Sequence, residues 1–308
     1  MIKVVDLKKN YSRFEALKSI SFEVKKGSVF GFIGRNGAGK TTTMNILTGL
    51  IGFDSGKIFI RGMDFKEHRQ ELIKNIGYLP ETPAFYDYMN AYEYLNLIGD
   101  LLEYDKNKKG KRISELLDIV KLKKNARRRI GGYSKGMKQR MALAAAIMDR
   151  PEILFMDEPS SALDPEGRLE ILELIDGLKD DSVTIFLSTH ILNDAERVCD
   201  TICILDEGRI LLTESLSELY KKHIQSILDI EFEADPENEA GSLKMLHWVR
   251  DVKIRGKRAS VEVKNIDIAK KEIFKELSKS DNCVINYQIR KMNLEDIFIG
   301  MVNKNANI

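Results

Sequence analysis

Three stretches of this chain carry residue types and spacings suited to phosphate chemistry. The first runs from Gly34 through Arg35, Asn36, Gly37, Ala38, Gly39, Lys40 and Thr41 to Thr42, and it fits the phosphate-loop spacing G-x-x-x-x-G-K-[ST]. Glycines at 34, 37 and 39 let successive backbone N–H groups turn inward without a Cβ clash, forming an anion nest at the positive end of a helix. Lys40 is placed to reach the β- and γ-phosphates of a nucleotide, and the Thr41 hydroxyl to ligate Mg²⁺. The second is the apolar run Ile153–Met156, which ends in Asp157 and Glu158. One acid, Asp157, suits the water shell of Mg²⁺; the next, Glu158, can orient and deprotonate a water that attacks the γ-phosphate. The third is His190, which follows the apolar run Thr184–Thr189 and can donate to a phosphate oxygen as a γ-phosphate sensor.

Two further residues join this set. Glu81 follows the apolar run Ile76–Leu79 and Pro80, a strand end where parallel sheets place ligand-contacting groups. It is a candidate for the metal or the attacking water, with an exposed strand-end glutamate as the competing reading. Tyr11 is a candidate to stack on adenine, a contact worth about 0.5–1.5 kcal/mol beyond its buried area; a core or turn tyrosine is the alternative.

These residues need strands and helices to hold them. Val29–Ile33 reads as a buried strand before the loop, and Thr42–Thr48 as the start of a helix that Gly49 stops. Residues 2–7 and 19–25 alternate as strands joined by a segment carrying Tyr11 and Phe14, which suggests a small antiparallel sheet beside the nucleotide. Residues 57–61 form another strand, and 66–75 are polar and helical. From about 83 to 150 the apolar spacing becomes helical at 91–98, 113–120 and 138–148, which reads as a helical insertion in an α/β domain. Phe85, Tyr86, Tyr88, Tyr92 and Tyr94 crowd its entrance; they read first as core and second as a docking groove for a partner helix. The basic runs Lys106–Arg112 and Lys121–Arg129 read as a solvated face, with attraction to anionic lipid as the sharper alternative.

Composition narrows the class. The 308 residues are 43% hydrophobic and 31% charged, enough for about two globular domains with a real core. A net charge of +2 argues against a globally basic nucleic-acid binder. No apolar run approaches the roughly 18 residues that a membrane span requires, and no signal-peptide core begins the chain. The expectation is a cytoplasmic protein whose membrane role, if any, needs a partner. Cys199, Cys203 and Cys283 lack metal or redox spacing and read as buried free thiols.

In this order the motifs resemble those of the ATP-binding subunits of ABC transporters, over roughly residues 1–220. Gly34–Thr42 looks like Walker A and Ile153–Glu158 like Walker B. Pro80 and Glu81 stand where the Q-loop lies, Tyr133–Met137 where the signature lies, and Ser161–Asp164 looks like the D-loop. His190 resembles the switch histidine, and Tyr11 fits the adenine-stacking aromatic. Two departures are visible. The Q-loop glutamine is replaced by Glu81, and Tyr133, Lys135 and Met137 replace members of the L-S-G-G-Q signature, while Ser134 and Gly136 remain.

The resemblance implies an α/β P-loop NTPase core with a mostly parallel sheet, a small antiparallel β subdomain and a helical insertion. It implies ATP and Mg²⁺ as ligands, with Ser134 and Gly136 contacting the ATP of a partner chain. The partners it implies are a membrane-spanning permease and a second copy or a similar ATPase subunit, on the cytoplasmic face of the membrane, with no nucleic acid. A soluble ABC-type ATPase acting on nucleic acid or ribosomes is the alternative, though one phosphate loop and no sustained heptads fit it poorly. Residues 222–308 read as β-α-β-β-α-β and a final helix, a small α+β, ferredoxin-like module. Its ending, Asn293–Phe298, resembles the tail of exporter ATPases.

Overall fold

The computed structural model describes residues 1–305 apart from 13, 162, 182, 224–225 and 292. Two compact units make up the chain, Met1–Leu216 and Ser217–Ile308.

In the first unit, β1 (Ile2–Tyr11) and β2 (Phe14–Val24) form an antiparallel hairpin. Tyr11 closes one strand and pairs with Phe14, which opens the next, so neither lies in a connecting segment as the alternation suggested. Cross-strand pairing prolongs both strands beyond their local pattern. β3 (Val29–Ile33) is buried at every position and leads through the glycine loop into α1 (Lys40–Leu47). The helix begins at Lys40, two residues earlier than Thr42, because Gly39 at φ 111° turns the chain straight into it. β4 (Ser55–Ile60) and β5 (Met63–Asp64) complete a four-stranded antiparallel sheet of order β2-β1-β4-β5.

α2 (Arg69–Ile73) and β6 (Ile76–Leu79) precede the helical insertion, formed by α3 (Ala91–Leu101), α4 (Lys106–Ile119) and α5 (Lys135–Ala146). β7 (Ile153–Asp157), α6 (Pro165–Gly177), β8 (Thr184–Thr189), α7 (Leu192–Val198), β9 (Thr201–Asp206) and β10 (Arg209–Ser215) follow. The second sheet has the order β10-β9-β3-β8-β7-β6, parallel except for β10 at its edge.

Between the two sheets Phe22 of β2 meets Phe30 and Phe32 of β3 and Phe186 of β8, with Phe155 of β7 behind Phe186. Their ring centroids lie 5.3–5.8 Å apart. Each such pair adds about 0.5–1.5 kcal/mol to the burial of its rings. This core also fixes the strand register. Ile33 pairs with Thr189 and Asp157 with Ser188. Gly34, Glu158 and His190, each one residue past its strand, therefore emerge at the same edge, where parallel sheets bind ligands.

The helical insertion departs from expectation in two places. The basic run 106–112 is the first half of α4, and two of its cations are buried rather than solvated. Lys109 Nζ donates to Asp100 Oδ1 at 2.5 Å, and Arg112 donates to the carbonyls of Ile147 and Met148 at 2.6 and 3.1 Å. Burial first, and then the charge of Arg150, pull the Arg112 pKa down. Their apolar stems allow this, so the cations hold helices together. The aromatics also lie largely outside the core. Tyr86, Tyr88 and Tyr92 are 53%, 66% and 38% exposed, and only Phe85 and Tyr94 are half-buried, as an edge-to-face pair at 5.0 Å. The reason is positional: Tyr92 points away from the buried Ala91 and Leu95 side of α3, and Tyr86 and Tyr88 lie on a surface loop.

The second unit opens with α8 (Leu216–His223), all of which but Leu216 belongs to it. β11 (Ser226–Phe232), α9 (Glu237–Lys244), β12 (Val249–Arg255), β13 (Arg258–Val263), α10 (Ile266–Leu277), β14 (Val284–Lys291) and α11 (Leu294–Asn305) succeed one another. The antiparallel sheet order β12-β13-β11-β14 is the ferredoxin-like arrangement, packed around Trp248, Phe232, Ile230 and Ile273. Cys199 and Cys203 are buried, but Cys283, just before the edge strand β14, is exposed, contrary to the expectation for all three. Among the described residues no helix is long and apolar enough to cross a membrane.

Candidate functional site

The phosphate loop is shaped by close approach. A Cβ on Gly34 would stand 2.3 Å from the Leu205 carbonyl oxygen, so only glycine lets the loop leave β3 beside β9. The loop is pinned by Gly208 N–H donating to Ala38 O at 3.0 Å and Ala38 N–H donating to Arg35 O at 3.1 Å. Arg35, Asn36 and Gly37 are exposed on its outer side, whereas Ala38 is buried. As in any helix, the first amides of α1 have no acceptor within the helix, and they aim its positive end along the loop.

Lys40 and Glu158 meet beneath this loop. Lys40 Nζ donates to Gly34 O at 2.8 Å and Arg35 O at 3.3 Å, and lies 3.2 Å from Glu158 Oε1. Glu158 Oε2 accepts from His190 Nδ1 at 2.8 Å and from the His190 backbone N–H at 3.3 Å. An ionised carboxylate can only accept, so Nδ1 carries the hydrogen and Nε2 is left as the second functional nitrogen. Glu158 also holds a left-handed backbone, φ 47°, a conformation that costs about 1–3 kcal/mol in a residue with a side chain. Its N–H donates to both Ser188 O and Ser188 Oγ at 3.1 Å, which holds that conformation in place. Ser188 Oγ in turn donates to Asp157 Oδ1.

A cleft of about 680 Å³ opens over these groups. It brings together Tyr11, Asn36, Gly37, Gly39, Lys40, Thr41, Thr42, Glu81, Glu158 and His190 of the expected residues, and adds Phe14, Ala16 and Ser161. Asp157 stands behind its wall, 1% exposed. Ser134 and Gly136 are not part of the described lining. Ser134 caps α5 by accepting from Met137 N–H at 3.2 Å and is exposed, and a Cβ on Gly136 would meet only Leu163 Cδ2, at 4.0 Å. Sequence reasoning named Phe14 only as part of the segment between two strands and Ser161 only within the D-loop resemblance, and it missed Ser188. Phe14 had a signal in its hairpin pairing with Tyr11; Ser188 had none, because its role depends on the register of β7 with β8.

Tyr78 on β6 reports the field at the acidic side. Its phenol is pushed up to about 12 by burial first, then by the charges of Asp157 and Glu81. Among the described residues no group of three or more His, Cys, Asp or Glu side chains could hold a metal unaided. Thr41 and Glu81 line the cleft, whereas Asp157 is buried behind it with Oδ1 bonded to Ser188; oxygen donors of this kind suit an ion that keeps several waters, which is the habit of Mg²⁺.

Comparison with known proteins agrees with this geometry. Residues 17–161 match the ABC transporter family, and residues 215–302 match the C-terminal domain of DrrA1-3-like ATP-binding proteins. The ABC transporter ATP-binding protein YxlF of Bacillus subtilis is 36% identical over 304 residues, spanning 98% of this chain and 100% of its own length. The chain belongs to the ATP-binding proteins of ABC transporters. The bacitracin transport ATP-binding protein BcrA of Bacillus licheniformis is 37% identical, over 80% of this chain and 79% of its own. A solved ATP-binding subunit of an ABC transporter superposes with a TM-score of 0.65 at 32% identity, over 72% of this chain and 92% of that one. A dimeric ATP-binding cassette in a post-hydrolysis state, bound to ADP and phosphate, gives 0.64 at 25% identity, over 70% and 99%. This ABC chain thus has the α/β P-loop core of its family, with the ferredoxin-like unit added.

Proposed function

We propose that this chain binds and hydrolyses ATP in the cleft over Lys40 and, with a second ATPase subunit, powers a separate membrane permease of the export type. The observation that carries the reading is the convergence of Lys40, Glu158 and His190 at one sheet edge beneath the phosphate loop. The loop amides of residues 34–42 and Lys40 hold the phosphates, and Tyr11 stacks on the base. Glu158 takes the proton of the attacking water, and His190, held by Glu158 through Nδ1–H, presents Nε2 to the γ-phosphate, to which it donates as the imidazolium. Mg²⁺, when bound, supplies positive charge at the β- and γ-oxygens; Thr41, Asp157 and Glu81 are the residues that would hold it.

The exposed helix end at Ser134 and the open space at Gly136 support a role toward the ATP of a partner chain. An isologous two-fold dimer would satisfy both sites at once. The exposed Tyr86, Tyr88 and Tyr92 offer surface for a permease, and a chain docked there would work at the cytoplasmic face of the membrane. Export is supported by the DrrA-like C-terminal unit and by a relative named for bacitracin transport.

The test is Glu158→Gln in the full chain. It is expected to keep ATP binding, lose turnover by about 10²–10⁴-fold, and accumulate as a dimer in ATP by light scattering. Turnover near the parent rate would remove Glu158 as the base. Purification of the tagged chain from detergent-solubilised membranes is expected to bring a stoichiometric multi-span protein; ribosomes or nucleic acid in its place would overturn the transport reading.

A further inference from the structure

Asp194, on α7, is 2% exposed and lies outside the cleft lining. Ser160 Oγ donates to its Oδ2 at 2.5 Å, and Arg168 of α6 donates to its Oδ1 from Nε at 2.6 Å and Nη2 at 2.5 Å. A buried carboxylate must be neutralised and hydrogen-bonded, and here these partners come from different parts of the chain. Ser160 lies two residues after Glu158, and Asp194 four residues after His190. Glu158 and His190 are themselves bonded at 2.8 Å. The result is a closed ring: Glu158, its following segment, Ser160, Asp194, the start of α7, His190, and back to Glu158.

We propose that Asp194 is a positioning residue for the hydrolytic pair. By tying the segment after Glu158 to the helix after His190, it sets the separation and aim of those two side chains. The inference rests on the ATPase reading for its consequence but not for its geometry. Ser161 follows the tethered Ser160 and reaches the cleft, and Asp164 caps α6, the helix that carries Arg168, by accepting from Gly167 N–H at 3.1 Å. A displacement of the segment by a bound partner would therefore reach Glu158 and His190 through Asp194. No atom of Asp194 needs to touch the nucleotide.

Asp194→Asn could disturb folding of the buried site, so the decisive substitution is the smaller Ser160→Ala, with Ser160→Thr restoring the hydroxyl and Arg168→Lys keeping the charge. In the full chain Ser160→Ala is expected to lower kcat about 10–100-fold while KM for ATP stays within about twofold, since misplacement of a reacting group acts on the chemical step. Ser160→Thr is expected to recover most of the rate. A second readout does not need turnover: the ring titration of His190, followed by NMR and assigned with His190→Gln, should shift in Ser160→Ala and return in Ser160→Thr. Parent-like kcat and an unmoved His190 titration in Ser160→Ala would overturn the proposal, as would an equal loss in Ser160→Thr. If the parent hydrolyses no ATP, the ATPase reading fails on its own and the His190 titration still decides the link.

Discussion

Lys40 Nζ lies 3.2 Å from Glu158 Oε1, and both side chains are 6% exposed. Burying such a pair is costly unless its remaining hydrogen-bonding positions are filled, and here the Gly34 and Arg35 carbonyls and His190 fill them. The residue suited to hold a phosphate and the residue suited to activate water thus neutralise one another across a short gap. A phosphate seated on the loop competes with Glu158 for the lysine.

Replacing Lys40 by Met keeps much of the apolar stem and removes the charge. One charge-assisted contact contributes about 1.5–3 kcal/mol, so ATP affinity is expected to fall about 10–150-fold. Titration with a fluorescent ATP analogue measures it, and an unchanged Kd would contradict the role given to Lys40.

Phe14 is 62% exposed and stands across the hairpin from Tyr11, which is 46% exposed and has Lys9 Nζ 5.4 Å from its ring centroid. Both rings line the cleft. A stacking contact of about 0.5–1.5 kcal/mol predicts that Phe14→Ala raises KM for ATP about 2–10-fold with kcat unchanged. Steady-state kinetics at saturating Mg²⁺ checks this; a fall in kcat with constant KM would place Phe14 elsewhere in the cycle.

Glu81 adds a negative charge at the cleft, and its charge is felt at Tyr78. Near a protein surface, unit charges a few ångströms apart interact by a few kcal/mol at most, reduced further by solvent. Glu81→Gln is therefore expected to raise the Mg²⁺ concentration for half-maximal ATPase by about 2–10-fold. A Mg²⁺ titration unchanged by the substitution would remove Glu81 from the metal's surroundings.

The thiols offer a test of the fold that needs no nucleotide. Burial pushes the Cys203 thiol up to about 12 and that of Cys199 higher still, so neither forms thiolate near neutral pH, whereas Cys283 is exposed. An aromatic disulfide reagent at pH 8 is expected to label Cys283 quickly in the native chain, and all three cysteines after denaturation. Rapid native labelling of Cys199 or Cys203 would contradict the packing of α7 and β9.

Much of the cleft was legible in the sequence because its parts are local. Gly34–Thr42 encodes its own turn, and a strand end is marked wherever an apolar run stops at a polar residue, as at Asp157 and His190. The basic run 106–112 was misread because charge alone does not show that the stems of Lys109 and Arg112 reach acceptors on neighbouring segments. The tyrosines at 86, 88 and 92 were misread toward the core because ring size does not reveal which side of a segment faces solvent.

The sequence by itself determined the phosphate-loop spacing, the acid pair Asp157 and Glu158, the place of His190 one residue past a strand, and the succession of strands and helices in the C-terminal unit, since each rests on backbone preference and periodicity within a few residues. The tertiary structure alone decided which of these groups touch. The Lys40–Glu158 ion pair, the Phe14 ring beside Tyr11 in the cleft, and the Ser160–Asp194–Arg168 cluster depend on strand register and on packing around Phe186, which bring together segments far apart in the chain. Contacts of that kind are set by how sheets and helices bury their apolar faces, and local spacing carries no record of them.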